Sequence, residues 1–301
     1  MYKHIAINGD LGSGKSSVAR HLAERLRMRL VSTGEVQRSI AASLSLSTLE
    51  TNLRAEYDEL IDAQVDSITK DLANAEEPII FDSRMAWRMV PAAFKVHLVV
   101  DPAVAAIRLH KERSSEVEGY ASVEEARNAA EERYQSERRR FLAKYDADVS
   151  VLQNYHLVID ASYAAIEEVA AQIESAYRSR TSNELSLYLS PRRVLPGRDP
   201  GEEADSLRFN GEASQGMIDA PDPVVGYSRP FFYVINGLSV VSQAIRRSQP
   251  LVKAVLLAEG TGEIFQGTSA DEYLRRVIRP SWITEWESLH NLRFQAYPNL
   301  V

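Results

Sequence analysis

The stretch Gly9-Asp10-Leu11-Gly12-Ser13-Gly14-Lys15-Ser16-Ser17 constrains this chain more than any other. It follows an apolar run, Ile5-Ala6-Ile7-Asn8, and leads into residues 18–26, where apolar side chains recur at helical spacing. A strand, a glycine-rich loop closing on Gly-Lys-Ser and a helix satisfy the G-x-x-x-x-G-K-S/T pattern in the context that gives it meaning. The glycines let the backbone turn tightly and bring N–H groups to one anion, and the start of the helix adds partial positive charge there. Lys15 suits β- and γ-phosphates and the Ser16 hydroxyl suits Mg²⁺, so residues 9–17 predict a binding loop for a nucleoside triphosphate with its metal.

Apolar runs and amphipathic segments go on alternating to about residue 178. Met28-Arg29-Leu30-Val31 reads as a second strand, closing on Ser32-Thr33-Gly34 with Arg38 in the helix that follows. Ligands of open parallel sheets bind beyond the carboxyl ends of the strands. Ser32, Thr33, Gly34 and Arg38 therefore belong at the same edge as the loop, where an arginine suits a second anionic group. Residues 41–76 read as helical. Ile79-Ile80-Phe81 is a buried-type strand that ends on Asp82, with Arg84 two residues on. A carboxylate there suits Mg²⁺ or its water shell, and Arg84 suits the phosphate of an acceptor. The plainer role for Asp82 is a helix cap or turn residue. Met85, Trp87 and Met89 read as core.

Residues 94–100 give a further strand, stopped by Asp101-Pro102, in which His97 reads as a packed residue. The next helix carries Arg108 and Arg113. From Ser122 a long charged helix carries Arg133 and Arg138. Such a run is either a solvated face laced with i,i+4 pairs or a lid whose arginines neutralise a phosphoryl group in transfer. Residues 155–162 supply a last strand and residues 166–177 a closing helix. The expected architecture is a doubly wound parallel α/β sheet of about five strands.

These motifs, with Tyr145-Asp146-Ala147-Asp148 and Tyr155-His156-Leu157-Val158-Ile159-Asp160, resemble in order and spacing those of the cytidylate kinases, nearest their archaeal-type, short-lid subgroup. The resemblance spans about the first 180 residues. It implies a P-loop kinase that takes ATP and Mg²⁺ on residues 9–17 and transfers phosphate to a nucleoside monophosphate, CMP or dCMP. It places the acceptor phosphate on Thr33, Gly34, Arg38 and Arg84. Arg108, Arg113, Arg133 and Arg138 become lid and phosphate-stabilising residues, and Asp148 lies near the acceptor sugar or base. Three positions depart from the subgroup: Gln37 replaces an aromatic before Arg38, Ser83 replaces a glycine before Arg84, and Met85-Ala86-Trp87 replaces Leu-Ala-Gly. All are on the acceptor side. They keep open a modified nucleotide or another small acceptor, and the long C-terminal part keeps open a non-catalytic NTP-binding switch with a recruitment domain.

The chain has 301 residues, enough for two domains, and a net charge of −7 that gives no basic field for nucleic acid. It contains no cysteine, no signal-peptide pattern and no apolar run of membrane-spanning length, so a cytoplasmic protein without a membrane partner is expected. Composition shifts between residues 179 and 220, where Ser190-Pro191-Arg192-Arg193 and Pro196-Gly197-Arg198-Asp199-Pro200 concentrate turn formers. Domains over 1–180 and 181–301 follow, the second a smaller α+β domain. It holds a strand at 231–235, a turn at Asn236-Gly237, a helix over 238–247 and a strand over 251–258. Residues 186–265 weakly resemble the ParB and sulfiredoxin-like fold. Asn236 stands for that fold's usual acidic residue and Val240 for its arginine, which implies a degenerate module for packing, recognition of a protein partner or homo-oligomerisation. Trp282, Trp286 and Leu289 form an aromatic helical stripe, either core or a docking face.

Overall fold

The computed structural model describes residues 2–43, 59–112, 120–179, 184–201 and 222–294. The chain divides into two compact units, Met1–Val100 with Val104–Leu185, and Asp101–Ala103 with Ser186–Val301.

The sheet of the first unit comprises β1 (His4–Gly9), β2 (Arg29–Ser32), β3 (Ile79–Asp82), β4 (Ala93–Val99) and β5 (Leu157–Asp160). Its order is β2-β3-β1-β4-β5, and every pairing among these strands is parallel. Ile5, Ile7, Ile80, Phe81, Phe94, Leu98 and Val158 are fully buried, which is why the strands read as continuous apolar runs rather than alternating ones. Between and after the strands lie α1 (Lys15–Leu26), α2 (Thr33–Ser43), α3 (Glu59–Ala73), α4 (Ala86–Met89), α5 (Pro102–Glu112), α6 (Val123–Tyr145) and α7 (Ile166–Ser179). Helix α1 turns Val18, Ala19, Leu22 and Ala23 inward, and α7 turns Val169, Ala170 and Ile173, the helical spacing of an apolar stripe. The two helices pack side by side. The crossover from β1 to β2 runs one way along the sheet; those from β2 to β3 and β3 to β4 run the other, so right-handed connections distribute the helices over both faces. This is the doubly wound α/β arrangement. The expected helix over 41–76 is described at α2 and α3, and residues 44–58 lie outside the described residues.

Helix α6 is capped by Ser122, whose hydroxyl accepts the Glu125 N–H at 3.1 Å. Its far end is tied to α3: Lys144 reaches Asp62 at 3.2 Å and the Tyr145 hydroxyl donates to Asp66 at 2.9 Å.

The second unit holds β6 (Ser186–Leu189), β7 (Val194–Pro196), β8 (Val224–Ser228), β9 (Phe231–Asn236) and β10 (Val252–Glu259) in the order β6-β10-β8-β9-β7. This sheet is mixed: β10–β8 and β7–β9 are parallel, β10–β6 and β8–β9 antiparallel. Gly237, at φ 83°, starts α8 (Leu238–Arg246), so the Asn-Gly pair joins a strand to a helix instead of making a hairpin. A short hairpin, β11 (Glu263–Phe265) with β12 (Thr268–Ser269), precedes α9 (Ala270–Arg276) and α10 (Pro280–His290). Tyr233 and Tyr273 stack 5.5 Å apart in the core, and the Tyr233 hydroxyl donates to the Ala270 carbonyl at 2.6 Å. The aromatic stripe on α10 splits. Trp286 is buried and Trp282 packs on the core, whereas Leu289 is half exposed. Among the described residues, no helix is long and apolar enough to cross a membrane.

Candidate active site

The carboxyl ends of β1, β2 and β3 converge, because Ser32 pairs in register with Asp82 and Ile7 with Asp82 on the other side. The loop leaves β1 at Gly9 and enters α1 through Gly14, which adopts φ 79°. It is anchored by Asp10, whose N–H donates to the Leu98 carbonyl at 2.8 Å and whose carboxylate accepts the Val100 N–H at 3.3 Å. Leu11 lies within the turn. Gly12, at φ 77°, is pressed so closely against α5 that an added Cβ would meet the Ala105 Cα at 2.9 Å. The first-turn N–H groups of α1, those of Lys15, Ser16 and Ser17, have no partner inside the helix and face outward from its end.

Lys15 forms an ion pair with Asp82. The Asp82 carboxylate also accepts the Ser32 hydroxyl at 3.3 Å, and the Asp82 carbonyl accepts the Thr33 hydroxyl at 3.4 Å. Burial first, then the guanidinium groups of Arg84 and Arg133, push the Lys15 ammonium down to about 7, against the opposing pull of Glu137. Arg84 donates from Nη1 to the Gly9 carbonyl and from Nε contacts the Glu137 carboxylate at 3.4 Å. Arg133, on α6, donates from Nε to the other Glu137 oxygen at 2.9 Å. Burial pushes the Glu137 carboxyl up, but Arg84 and Arg133 outweigh it and hold it below the usual carboxylate range.

The other expected residues are held by contacts of their own. Arg108 donates to the carbonyls of Gly12 at 3.2 Å, Ala161 at 2.9 Å and Ser162 at 3.0 Å, tying the loop to the end of β5. Arg138 donates twice to one Asp148 oxygen, at 2.9 and 2.6 Å, while the other oxygen accepts the Ser150 N–H and hydroxyl. Arg138 and Asp148 thus form one paired unit. Gly34 lies in the first turn of α2, and that helix carries Arg38 one turn further on. Arg113 lies outside the described residues. The Ser83 hydroxyl accepts the Met85 and Ala86 N–H groups at 3.2 Å each, just ahead of α4. Trp87 is buried against Tyr155, ring centres 5.3 Å apart, and Tyr155 in turn stacks on His97 and accepts the Asn8 side-chain N–H at 2.6 Å. His97 is accordingly a packed residue. Glu137 is the site residue that the sequence reading passed over; its only signal was its i,i+4 distance from Arg133.

These residues fit a triphosphate with a divalent cation. The Ser13 hydroxyl is buried and finds no hydrogen-bond partner among the described residues. Ser16 is exposed at the open end of α1, and Gly14 faces open space where a Cβ would stand. Among the described residues, no cluster of three His, Asp or Glu side chains forms a metal cage. Ser16 and Asp82 are residues that could hold a hard cation whose other ligands would be phosphate and water.

A parallel sheet with this loop, lysine and strand-end carboxylate defines a P-loop α/β nucleotide-binding unit. A family model described as "AAA domain" matches residues 5–135. The cytidylate kinase of Natronomonas pharaonis is 36% identical over 174 residues, 57% of this chain and 88% of that protein. That of Methanospirillum hungatei is 30% identical over 181 residues, 60% of this chain and 99% of that protein. The chain belongs to the cytidylate kinase family. Among solved structures, a shikimate kinase from Bacteroides thetaiotaomicron is similar at 16% identity and a TM-score of 0.42, covering 59% of this chain and 99% of that one. None of these matches bears on the resemblance of residues 186–265 to the ParB and sulfiredoxin-like fold.

Proposed function

We propose that the first unit transfers the γ-phosphoryl group of ATP to a nucleoside monophosphate, with CMP or dCMP as the acceptor. The observation that carries this reading is the convergence of Lys15, Arg84 and Arg133 on the mouth of the phosphate loop. Three cations around one anion-binding loop exceed what holding a triphosphate needs, and they suit a second phosphate meeting the first.

In this reading the loop N–H groups and Lys15 hold the donor, with Lys15 exchanging the Asp82 carboxylate for phosphate oxygens. A bound Mg²⁺, held through Ser16 and Asp82, supplies charge neutralisation on the donor phosphates. Thr33, Gly34 and Arg38 of α2, with Arg84, orient the acceptor phosphate for in-line attack; Arg133 faces the charge that develops. Arg108 acts indirectly, by fixing the loop. Closure of α6 over the site excludes water and so favours transfer over hydrolysis.

Two of the three departures from the subgroup are buried. The Ser83 hydroxyl accepts the Met85 and Ala86 N–H groups and Trp87 packs on Tyr155, so both side chains are engaged within the protein. That favours a cytosine nucleotide over a modified acceptor. A coupled assay of ADP release over the common nucleoside monophosphates tests the reading. Turnover with CMP and dCMP ahead of AMP, GMP and UMP is expected, and no turnover with any of them contradicts it. Localisation in the cytoplasm and a protein or self-association role for the second unit are part of the same proposal.

A further inference from the structure

We propose that Glu137 is a positioning residue that holds Arg84 and Arg133 together over the phosphate loop, so that the two guanidinium groups act on the transferring phosphoryl group as one unit. The inference rests on the reading of this site as a phosphoryl-transfer site.

The two arginines come from different places. Arg84 follows β3, and Arg133 lies on α6 one turn before Glu137. Each takes a different carboxylate oxygen, Arg133 Nε on Oε1 at 2.9 Å and Arg84 Nε on Oε2 at 3.4 Å. Arg84 also reaches back to the Gly9 carbonyl. The result is a continuous path from the first residue of the loop through Arg84 and Glu137 to Arg133. Two like charges brought close would separate without a shared anion, and long side chains left alone populate many rotamers. The carboxylate removes both problems. It engages each arginine at Nε, the edge of the guanidinium away from the terminal Nη groups that match phosphate oxygens.

An ordinary i,i+4 pair on a solvated helix would look different. The Glu137 side chain is only 14% exposed, and its second partner comes from another element. The two guanidinium groups keep the carboxyl ionised against the effect of its burial.

The test is a double-mutant cycle on the full chain with Mg²⁺, ATP and CMP, using Glu137→Gln, Arg133→Ala and the combined variant. Glu137→Gln is expected to lower kcat roughly 10- to 100-fold with a smaller change in KM for ATP, because misplaced groups cost rate more than binding. In the Arg133→Ala background the same substitution is expected to cost at least about tenfold less, since coupled residues are not additive. Glu137→Asp, which keeps the charge but shortens the reach, is expected to recover part of the loss. Losses that multiply independently, or an unchanged kcat, overturn the proposal. If Glu137→Gln does not fold, as read by circular dichroism, the same cycle run with Glu137→Asp decides. If the wild type phosphorylates no nucleoside monophosphate, the phosphoryl-transfer reading fails by itself. The cycle then reads calorimetric binding of ATP with Mg²⁺: non-additive losses support the clamp and additive ones overturn it.

Discussion

Lys15 at the start of α1 and Asp82 at the end of β3 form an ion pair, although neither needs the other for local structure. Asp82 is almost wholly buried and also carries the Ser32 hydroxyl. An anionic partner alone would raise the proton affinity of Lys15. Instead burial, Arg84 and Arg133 bring it down to about 7. Burial is the larger cause and the two guanidinium groups add to it, so an arriving polyphosphate would favour the charged ammonium.

Removing the lysine removes a donor aimed at developing charge. Lys15→Ala should lower kcat/KM for ATP-dependent turnover by roughly 10²- to 10³-fold. Steady-state kinetics beside an unchanged circular-dichroism spectrum checks this.

The depressed Lys15 pKa has a sign that calorimetry can read. With the ordinary value at 10.5 and the folded value at about 7, Lys15 is increasingly neutral above pH 7 in the nucleotide-free protein. Phosphate contacts favour the ammonium, so ATP binding at pH 8 should take up a fraction of a proton, and binding below pH 6 should take up none from this group. Titrations in buffers of different ionisation enthalpy measure it. For stability the unfolded chain binds more protons between about pH 7 and 10.5, so Lys15 makes the folded state relatively more stable as pH rises through that window.

The two left-handed glycines of the loop differ in what surrounds them. At Gly12 a side chain would strike the Ala105 backbone, whereas at Gly14 nothing lies within 4 Å. Gly14→Ala should cost about 1–2 kcal/mol for its φ alone. Gly12→Ala should cost more, because the clash adds to the same strain, and should weaken ATP binding further. Chemical denaturation and nucleotide titration compare the pair.

Trp87 tests whether a departure from the subgroup sets specificity. Buried against Tyr155, it should matter to stability, with Trp87→Ala costing about 3–5 kcal/mol. The ratio of kcat/KM for CMP to that for UMP should stay within about threefold, since a ring held in the core against Tyr155 contributes little to a difference between substrates. A selective loss with one nucleotide contradicts this placement.

Arg138 and Asp148 act as a unit. Burial pushes the Asp148 carboxyl up, but hydrogen bonds from Arg138 and Ser150 bring it below its usual 3.8. Its stabilisation is thus present above pH 4 and lost as pH falls through the lower folded value. Arg138→Ala should cost about 1–2 kcal/mol near neutral pH, less below pH 3, measured by denaturation at both.

Much of this molecule was legible in the sequence. The strands β1, β3, β4 and β5 are apolar runs bounded by Gly, Asp or Pro, a signature that buried parallel strands write plainly. The positions of the loop and of Asp82 at the strand ends were legible because their patterns are local. The second unit was legible at β9, α8, β10 and the stripe of α10; β6, β7 and β8 are short strands whose pairing is set by distant partners. The interactions of α6 were legible least. Charge patterning placed Arg133, Glu137 and Arg138 on one helix, yet Arg133 turns with Glu137 to Arg84, while Arg138 turns to Asp148. Spacing encodes the Arg133–Glu137 pair, but the partners Arg84 and Asp148 come through tertiary contacts that no spacing encodes. Arg108 shows the same limit, since its acceptors are three backbone carbonyls.

The most direct measurement is to follow the γ-phosphoryl group itself. ATP labelled at the γ-phosphate is incubated with Mg²⁺, CMP and the full chain, and the products are separated. Label in CDP, lost in Lys15→Ala and strongly reduced in Arg84→Ala, is the predicted result. Label found only in inorganic phosphate, with no transfer to CMP or any other nucleoside monophosphate, would contradict the account.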